Sequence, residues 1–204
     1  MIPGARVVLL GRQGSGKGTQ CTRLSRHFVV PHISTGDMLR AAVREGTELG
    51  RMAKEIIDAG GLVSDEIMIG IIDERLKQDD AVTRGYILDG FPRTAAQARS
   101  LDDITSKRPL HVAIDLDVPR DLVLDRLSLR RVCRDCGTNF QSTGRDPRQW
   151  LCDTCGGDVV QRDDDTPEAI NRRLDLYETQ TQPLIDRKST RLNSSHSQQS
   201  RMPS

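Results

Sequence analysis

Aromatic residues are scarce. Three Phe, two Tyr and one Trp make up 3% of the 204 residues, so a core must be built from aliphatic side chains. Excess charge of one sign is also missing: 30 Lys and Arg stand against 29 Asp and Glu, a net +1. That balance excludes a strongly basic nucleic-acid binder. No apolar run approaches the roughly 20 residues that cross a bilayer, so no membrane partner is expected. The first residues carry neither a charged n-region nor a long apolar stretch. No signal peptide is expected, and a soluble cytoplasmic protein is the reading. The length suits one domain with insertions, or two small ones.

What is present begins with Val7-Val8-Leu9-Leu10, a short apolar run of the kind buried on both faces of a parallel sheet. The pattern predicts a helix over 17–27 and a short strand over 31–34. Thr35 reads as the N-cap of the next helix, with Asp37 in its first turn. Gly46 and Gly60-Gly61 punctuate two short helices. Ser64-Asp65-Glu66 opens another, with Ile67, Ile71 and Ile72 on one stripe. Strands are expected over 86–88 and 112–116, and a helix over 121–131 that buries Val123 and Leu127. Thr166-Pro167 starts the last helix as N-cap and first helical residue, with Ile170, Leu174 and Tyr177 on its buried face. This alternation predicts an α/β fold with a parallel sheet flanked by helices.

Gly11-Arg12-Gln13-Gly14-Ser15-Gly16-Lys17-Gly18-Thr19 lies between the first strand and the first helix. Glycines let backbone N–H groups curl around phosphate oxygens. The helix N-terminus adds its positive end, and Lys17 a full charge. The strict P-loop pattern places Ser or Thr directly after the Lys; here Gly18 intervenes and the hydroxyl comes at Thr19. The context favours a nucleoside triphosphate site over a Gly-rich turn that binds nothing.

Cys133, Cys136, Cys152 and Cys155 form two Cys-x-x-Cys pairs separated by fifteen residues. That spacing suits a tetrahedral structural zinc site with no open position. Four free thiols, or two redox-active pairs, are the alternatives. Residues 132–165 have almost no aliphatic periodicity and are expected to need such a staple. The segment 130–165 holds six Arg and seven Asp, a balance that lacks the basic footprint of nucleic-acid binding. Cys21 reads as a small core residue. His27, His32, His111 and His196 lack metal-ligand spacing, and the sequence assigns them no role.

The loop variant Gly-Lys-Gly-Thr-Gln resembles that of the adenylate kinases. So do Ile33-Ser34-Thr35-Gly36-Asp37-Met38-Leu39-Arg40, Gly61-Leu62-Val63-Ser64-Asp65 and Asp89-Gly90-Phe91-Pro92-Arg93 with Gln97. Arg130-Arg131-Val132-Cys133 and Gln161-Arg162-Asp163-Asp164-Asp165 complete the likeness, which spans about residues 6–186. It implies the reaction ATP + AMP ⇌ 2 ADP, with Mg²⁺ accompanying ATP and a structural Zn²⁺ in the lid. It also implies a monomer.

The resemblance carries roles to matching positions. Gly14, Ser15, Gly16, Lys17, Gly18 and Thr19 would hold the ATP phosphates. Arg130 would clamp them, with Arg126 one helical turn earlier on the same face. Asn139 and Phe140 would lie near the donor adenine, where Tyr or His is more usual. Arg40 and Arg93 would hold the acceptor phosphate, and Arg162 and Arg173 would close over the transferring group. Thr35 and Gln97 would face the AMP base, with Gly61, Leu62 and Val63 along its sugar and base. Gly90, Phe91 and Pro92 belong to the same AMP segment. Asp89 would organise Mg²⁺ through water. No general base is needed, because the acceptor phosphate is already an anion.

The implied organisation is a P-loop core over 1–33, 64–129 and 166–186, an AMP-binding insertion over 34–63 and a zinc lid over 130–165. Two rival readings are a kinase for UMP, CMP or GTP and a non-catalytic P-loop and zinc module. Thr35 and Gln97 favour AMP over the first, and the set of clamping arginines argues against the second.

Residues 187–204 depart from the family pattern, with six Ser, four basic residues and no acid. Without them 26 basic residues stand against 29 acidic ones, a net −3. The composition is that of a flexible, foreign-looking tail. The family's last strand and C-terminal helix are not recognisable there, so the strand over 112–116 is expected at an exposed sheet edge. Replacing 187–204 by a family-like C-terminus should raise the melting temperature and lower KM for ATP. Unchanged values in both would count against this reading.

Overall fold

The computed structural model describes residues 4–142 and 150–185. Strand β1 (Arg6–Leu10) leads through the glycine-rich loop into helix α1 (Lys17–Phe28), then β2 (His32–Ser34). Helices α2 (Thr35–Arg44), α3 (Glu48–Asp58), α4 (Asp65–Leu76) and α5 (Asp79–Arg84) follow. Strand β3 (Tyr86–Asp89), α6 (Ala95–Ile104), β4 (Val112–Asp115) and α7 (Arg120–Ser128) continue the alternation. A small sheet comes next, with β5 (Arg130–Cys133), β6 (Asn139–Gln141) and β7 (Val159–Val160). Helix α8 (Pro167–Leu176) runs on into a π-helical turn, Tyr177–Thr181.

The main sheet is wholly parallel, in the order β2-β3-β1-β4. Its central strands, β1 and β3, are buried on both faces, which is why they are unbroken Val, Leu and Ile runs. Alternate residues feed two cores, as the pleat requires. Val8, Leu10, Ile33 and Leu88 pack with Ile72, Phe91 and Leu101 on one side. Val7, Leu9 and Ile87 pack with Cys21 and Val30 on the other. Each fully buried aliphatic side chain contributes about 2 kcal/mol.

The register fixes where chemistry can sit. Leu9 of β1 and Ser34 of β2 both stand opposite Asp89 of β3. The carboxyl ends of three strands therefore converge on one carboxylate, at the edge where open parallel sheets bind ligands. Gly14 in the following loop has φ +81°, and an added Cβ would come within 2.9 Å of Leu127. The loop is thus pressed against α7, which packs on α8 through Val123, Leu127, Ile170 and Leu174.

Four expectations change in detail. Ser34, not Thr35, caps α2: its hydroxyl accepts from the Asp37 N–H at 3.3 Å. Thr35 is already helical and almost fully buried. The seventh helix stops at Ser128 instead of running to 131, because Arg130 and Arg131 are drawn into β5 by pairing with Gln141 and Phe140. Arg126 and Arg130 therefore do not share a helix face. The polar segment after residue 132 does build a small core, of Cys133, Trp150, Cys152 and Val159 with Phe140 against it. Helices α5 and α6 are additions to the sequence reading.

Thr166 caps α8 as expected, accepting from Ala169 N–H at 3.2 Å. Strand β4 stands at the edge of the four-stranded sheet, with Val112 42% exposed. That edge position holds among the described residues. The tail 187–204 lies outside the described residues.

Candidate active site

The loop sits at the carboxyl ends of the strands with Lys17 at its base. The Lys17 ammonium donates to the carbonyls of Gly11 (2.7 Å) and Arg12 (2.9 Å). Burial lowers its pKa to about 8, against the opposing pull of Asp89. The Ser15 hydroxyl is buried without a hydrogen-bond partner, and Arg126 reaches the Ser15 carbonyl at 3.5 Å. Thr19 is exposed one turn into α1. A Cβ added at Gly18 would lie 3.8 Å from Asp89 Oδ2, so the catalytic-edge carboxylate faces the loop closely. Asp89 also approaches His32 Nε2 at 3.4 Å.

The arginines form a chain of like charge. Burial is the first cause that depresses Arg93, to about 10, and Arg173 and Arg40 add to it. Arg40 is lowered by burial and by Arg162, and Arg130 by burial and by Arg162 as well. Lys17 in turn is disfavoured by Arg93 and Arg130. Lys17, Arg93, Arg40 and Arg130 are thus each disfavoured as cations by a neighbour of like charge, whereas Arg162 is shifted up because Asp164 outweighs its burial. Such a set is matched by a polyanion.

Two buried carboxylates hold this chain together. Asp164 accepts both prongs of Arg162 (2.8 and 2.7 Å) and one from Arg173 (2.7 Å). Asp165 accepts the fork of Arg130, with Nε at 2.7 Å from Oδ2, and the Gln13 amide at 3.2 Å. Burial pushes the Asp164 carboxyl up, yet the hydrogen bonds and charges of Arg162, Arg173 and Arg40 win and hold it well below the usual range. Arg173 also donates to the Ile57 carbonyl at 2.7 Å, which ties α8 to α3. Arg40 pairs with Asp37 on its own helix.

Thr35, Arg93, Gln97 and Asp65 are joined by a largely buried polar network. Thr35 Oγ1 donates to the Gly90 carbonyl at 3.0 Å, and Arg93 Nε donates to the same carbonyl at 2.8 Å. Gln97 Oε1 accepts from Arg93 N–H at 2.8 Å while Gln97 Nε2 donates to Asp65 at 2.7 Å. Each end of that amide keeps one further hydrogen-bonding capacity. Phe91 is fully buried and Pro92 buried, so they shape the segment from within. Gly61 and Leu62 are half-buried and Val63 packs in the main core. At Gly60, φ is +73° and an added Cβ would meet the Ala169 carbonyl at 2.5 Å, so the insertion touches α8 backbone to backbone.

Four sulfurs cluster at the tip of the small sheet, all within 4.8 Å of one another. Cys133 and Cys155 are 3.4 Å apart, and Cys136 and Cys152 3.6 Å. Disulfides need about 2.05 Å, whereas the edge of a tetrahedral zinc thiolate with 2.3 Å bonds is about 3.8 Å. Backbone N–H groups of Cys136 and Thr154 point at Cys133 and Cys152 sulfurs, at 3.5 and 3.4 Å. Phe140 is half-buried against Trp150, with ring centroids 5.3 Å apart, and Asn139 is exposed beside it.

Two contributors were not predicted from sequence. Asp65 accepts from Thr94 and Gln97, 29 and 32 residues away. Arg12 pairs with Asp117 at 3.0 Å and lies over the Tyr177 ring at 5.3 Å. No local pattern announces either. The Asp163-Asp164-Asp165 run reads from sequence either as a solvated acidic turn or, by the family likeness, as carboxylates that orient arginines; Asp164 and Asp165 do the second.

A P-loop beside part-buried arginines at the ends of a parallel sheet fits the class of kinases that act on nucleoside monophosphates. Comparison with known sequences narrows the class. Residues 9–192 match the family described as adenylate kinase. The adenylate kinase of Caldicellulosiruptor bescii is 48% identical over 184 residues, covering 89% of this chain and 85% of that protein. Those of Moorella thermoacetica and Clostridium perfringens are 50% and 47% identical over the same share of this chain, with 84% and 85% of their own length covered. The chain belongs to the adenylate kinase family.

The Asp164 anchor yields a pH prediction. Its folded-state pKa is depressed, so its contribution is full above the ordinary carboxylate range and is lost as pH falls below about 4. Asp164→Asn should cost about 3 kcal/mol at neutral pH, because two arginines lose their counterion. Denaturant unfolding across pH should show the gap between parent and variant narrowing in acid. An equal gap at both ends would contradict the assignment.

Proposed function

We propose that the protein transfers the terminal phosphoryl group of ATP to AMP, reversibly, giving two ADP. The observation that carries this is the glycine-rich loop with its Lys17, together with Arg130, Arg162 and Arg173 held by the buried Asp164 and Asp165. Two nucleotides brought together for phosphoryl transfer supply the opposing charge, and the transition state spreads more of it over the equatorial oxygens.

The loop amides and Lys17 bind the donor phosphates, for which Lys17 leaves the Gly11 and Arg12 carbonyls. Arg130 clamps the donor phosphates from the lid side. Arg40 and Arg93 orient the acceptor phosphate, and Arg162 and Arg173 close over the group in transit. The free capacities of Gln97, together with Thr35, face the AMP base. Phosphates displace part of the carboxylate pairing, so Asp164 and Asp165 act as placeholders that keep the guanidiniums in position. Closure of the 34–63 and 130–165 segments excludes water and limits hydrolysis.

Asp89 fits a Mg²⁺ role by its place at the strand ends beside the loop. Mg²⁺ bound with ATP supplies charge neutralisation at the phosphates; Asp89 would hold its water shell. The four sulfurs fit a structural Zn²⁺ by their spacing and N–H contacts, and that metal would supply folding energy to the lid. Cysteines held as thiolates suit a reducing cytoplasm. One chain provides all of these groups, so the reading needs only a monomer.

Coupled assay of ADP formation should show AMP preferred over UMP and CMP. Lys17→Ala should reduce kcat/KM by at least a thousandfold; retained full activity would sink the assignment. Removal of metal from the four cysteines by a chelator should lower the melting temperature, and restoring Zn²⁺ should recover it. A chelator-insensitive melting curve would exclude the structural metal.

A further inference from the structure

Cys21 and His32 play no part in the mechanism above. Cys21 stands one turn after Lys17 on α1 and is completely buried. His32 opens β2 and is half-buried. The fold brings the two together with Asp89 at the end of β3. The Cys21 sulfur, a His32 ring nitrogen and an Asp89 oxygen all lie within 4.8 Å of one another. The His32 Nε2 to Asp89 Oδ2 separation is 3.4 Å.

One thiol, one imidazole and one carboxylate make a borderline-soft donor set. It suits zinc-class cations and is poorly matched to Mg²⁺, which takes oxygen ligands. Tetrahedral bonds of about 2.0–2.3 Å place ligand atoms about 3.3–3.8 Å apart. The three donors approach that spacing and need only small side-chain adjustments to reach it. They come from three rigid elements, so the arrangement is set by the sheet register and the packing of α1. Three protein ligands leave a fourth position for water or a phosphate oxygen.

We propose that Cys21, His32 and Asp89 form a second, three-donor site for a zinc-class divalent cation, and that its occupation inhibits phosphoryl transfer. The inhibition has a physical cause. A cation bound to all three groups withdraws the Asp89 carboxylate from the water shell of Mg²⁺ and places a new charge beside Lys17. This half rests on the role proposed for Asp89; the binding half does not.

The test uses the full chain with its lid cysteines already carrying one Zn²⁺. Equilibrium dialysis against buffered free Zn²⁺, with metal counted per chain, should find a second equivalent. Cys21→Ala and His32→Gln should each return the count to one, with the melting temperature of each variant confirming that it is folded. In excess Mg²⁺, added Zn²⁺ should slow ADP formation by the parent. The concentration for half-inhibition, referred to each protein's own zinc-free rate, should rise at least tenfold in both variants. A count of one in the parent, or a second zinc that persists in both variants, would overturn the site. A second zinc lost in both variants without any inhibition of the parent would uphold the site and overturn the part given to Asp89.

Discussion

Like charges crowded in a poorly solvated space govern this molecule. Lys17, Arg93, Arg40, Arg162 and Arg130 each make their neighbours less comfortable as cations. Such a cluster persists only where other groups hold it. Asp164 and Asp165 do so, each binding a guanidinium through two of its nitrogens. Because they are attached to the protein, these counterions can keep the cations aimed without filling the enclosure. Polyphosphate can then relieve repulsion that the carboxylates only restrain.

The fold serves that arrangement by convergence. The site draws Lys17 from α1, Arg40 from α2, Arg93 from the segment after β3, Arg130 from β5 and Arg162 from the stretch before α8. Parallel strands with helical crossovers send their carboxyl ends to one edge, so elements far apart in sequence meet there. The two insertions bring their charges to the same edge from outside the sheet. The small core of Cys133, Trp150, Cys152 and Val159 lets the outer one carry arginines on a segment with little aliphatic content.

Much of this was legible in the sequence where the signal is local. The glycine-rich loop, the Thr166 cap and the paired cysteines are read within a few residues of themselves. The apolar runs of β1 and β3 announce burial on two faces. The failures share one cause. Arg130 and Arg131 are good helix formers, and only pairing with β6 makes them strand. Ser34 and Thr35 are equally good caps by type; the Gly90 carbonyl, more than fifty residues on, decides between them by taking the Thr35 hydroxyl. Asp65 gives no sign of its partners because they lie two helices and a strand away. Beyond the phosphate-binding loop, roles in binding were read only through the family likeness.

The π-helical turn after α8 has a geometric consequence. Arg173 reaches Asp164 and Ile57, Tyr177 donates to Asp115 at 3.2 Å beneath Arg12, and Thr181 donates to the Arg93 carbonyl at 2.8 Å. These three contacts recur every four residues. In a regular α-helix a step of four overshoots a full turn by about 40°, so the third contact would rotate out of line. The wider π turn advances less per residue and resets the phase between Tyr177 and Thr181. One face of a single rod is thereby kept in register with Asp164, with the end of β4 and with the segment after β3 together. A one-residue insertion there would leave each piece intact while turning it away from the part it steadies.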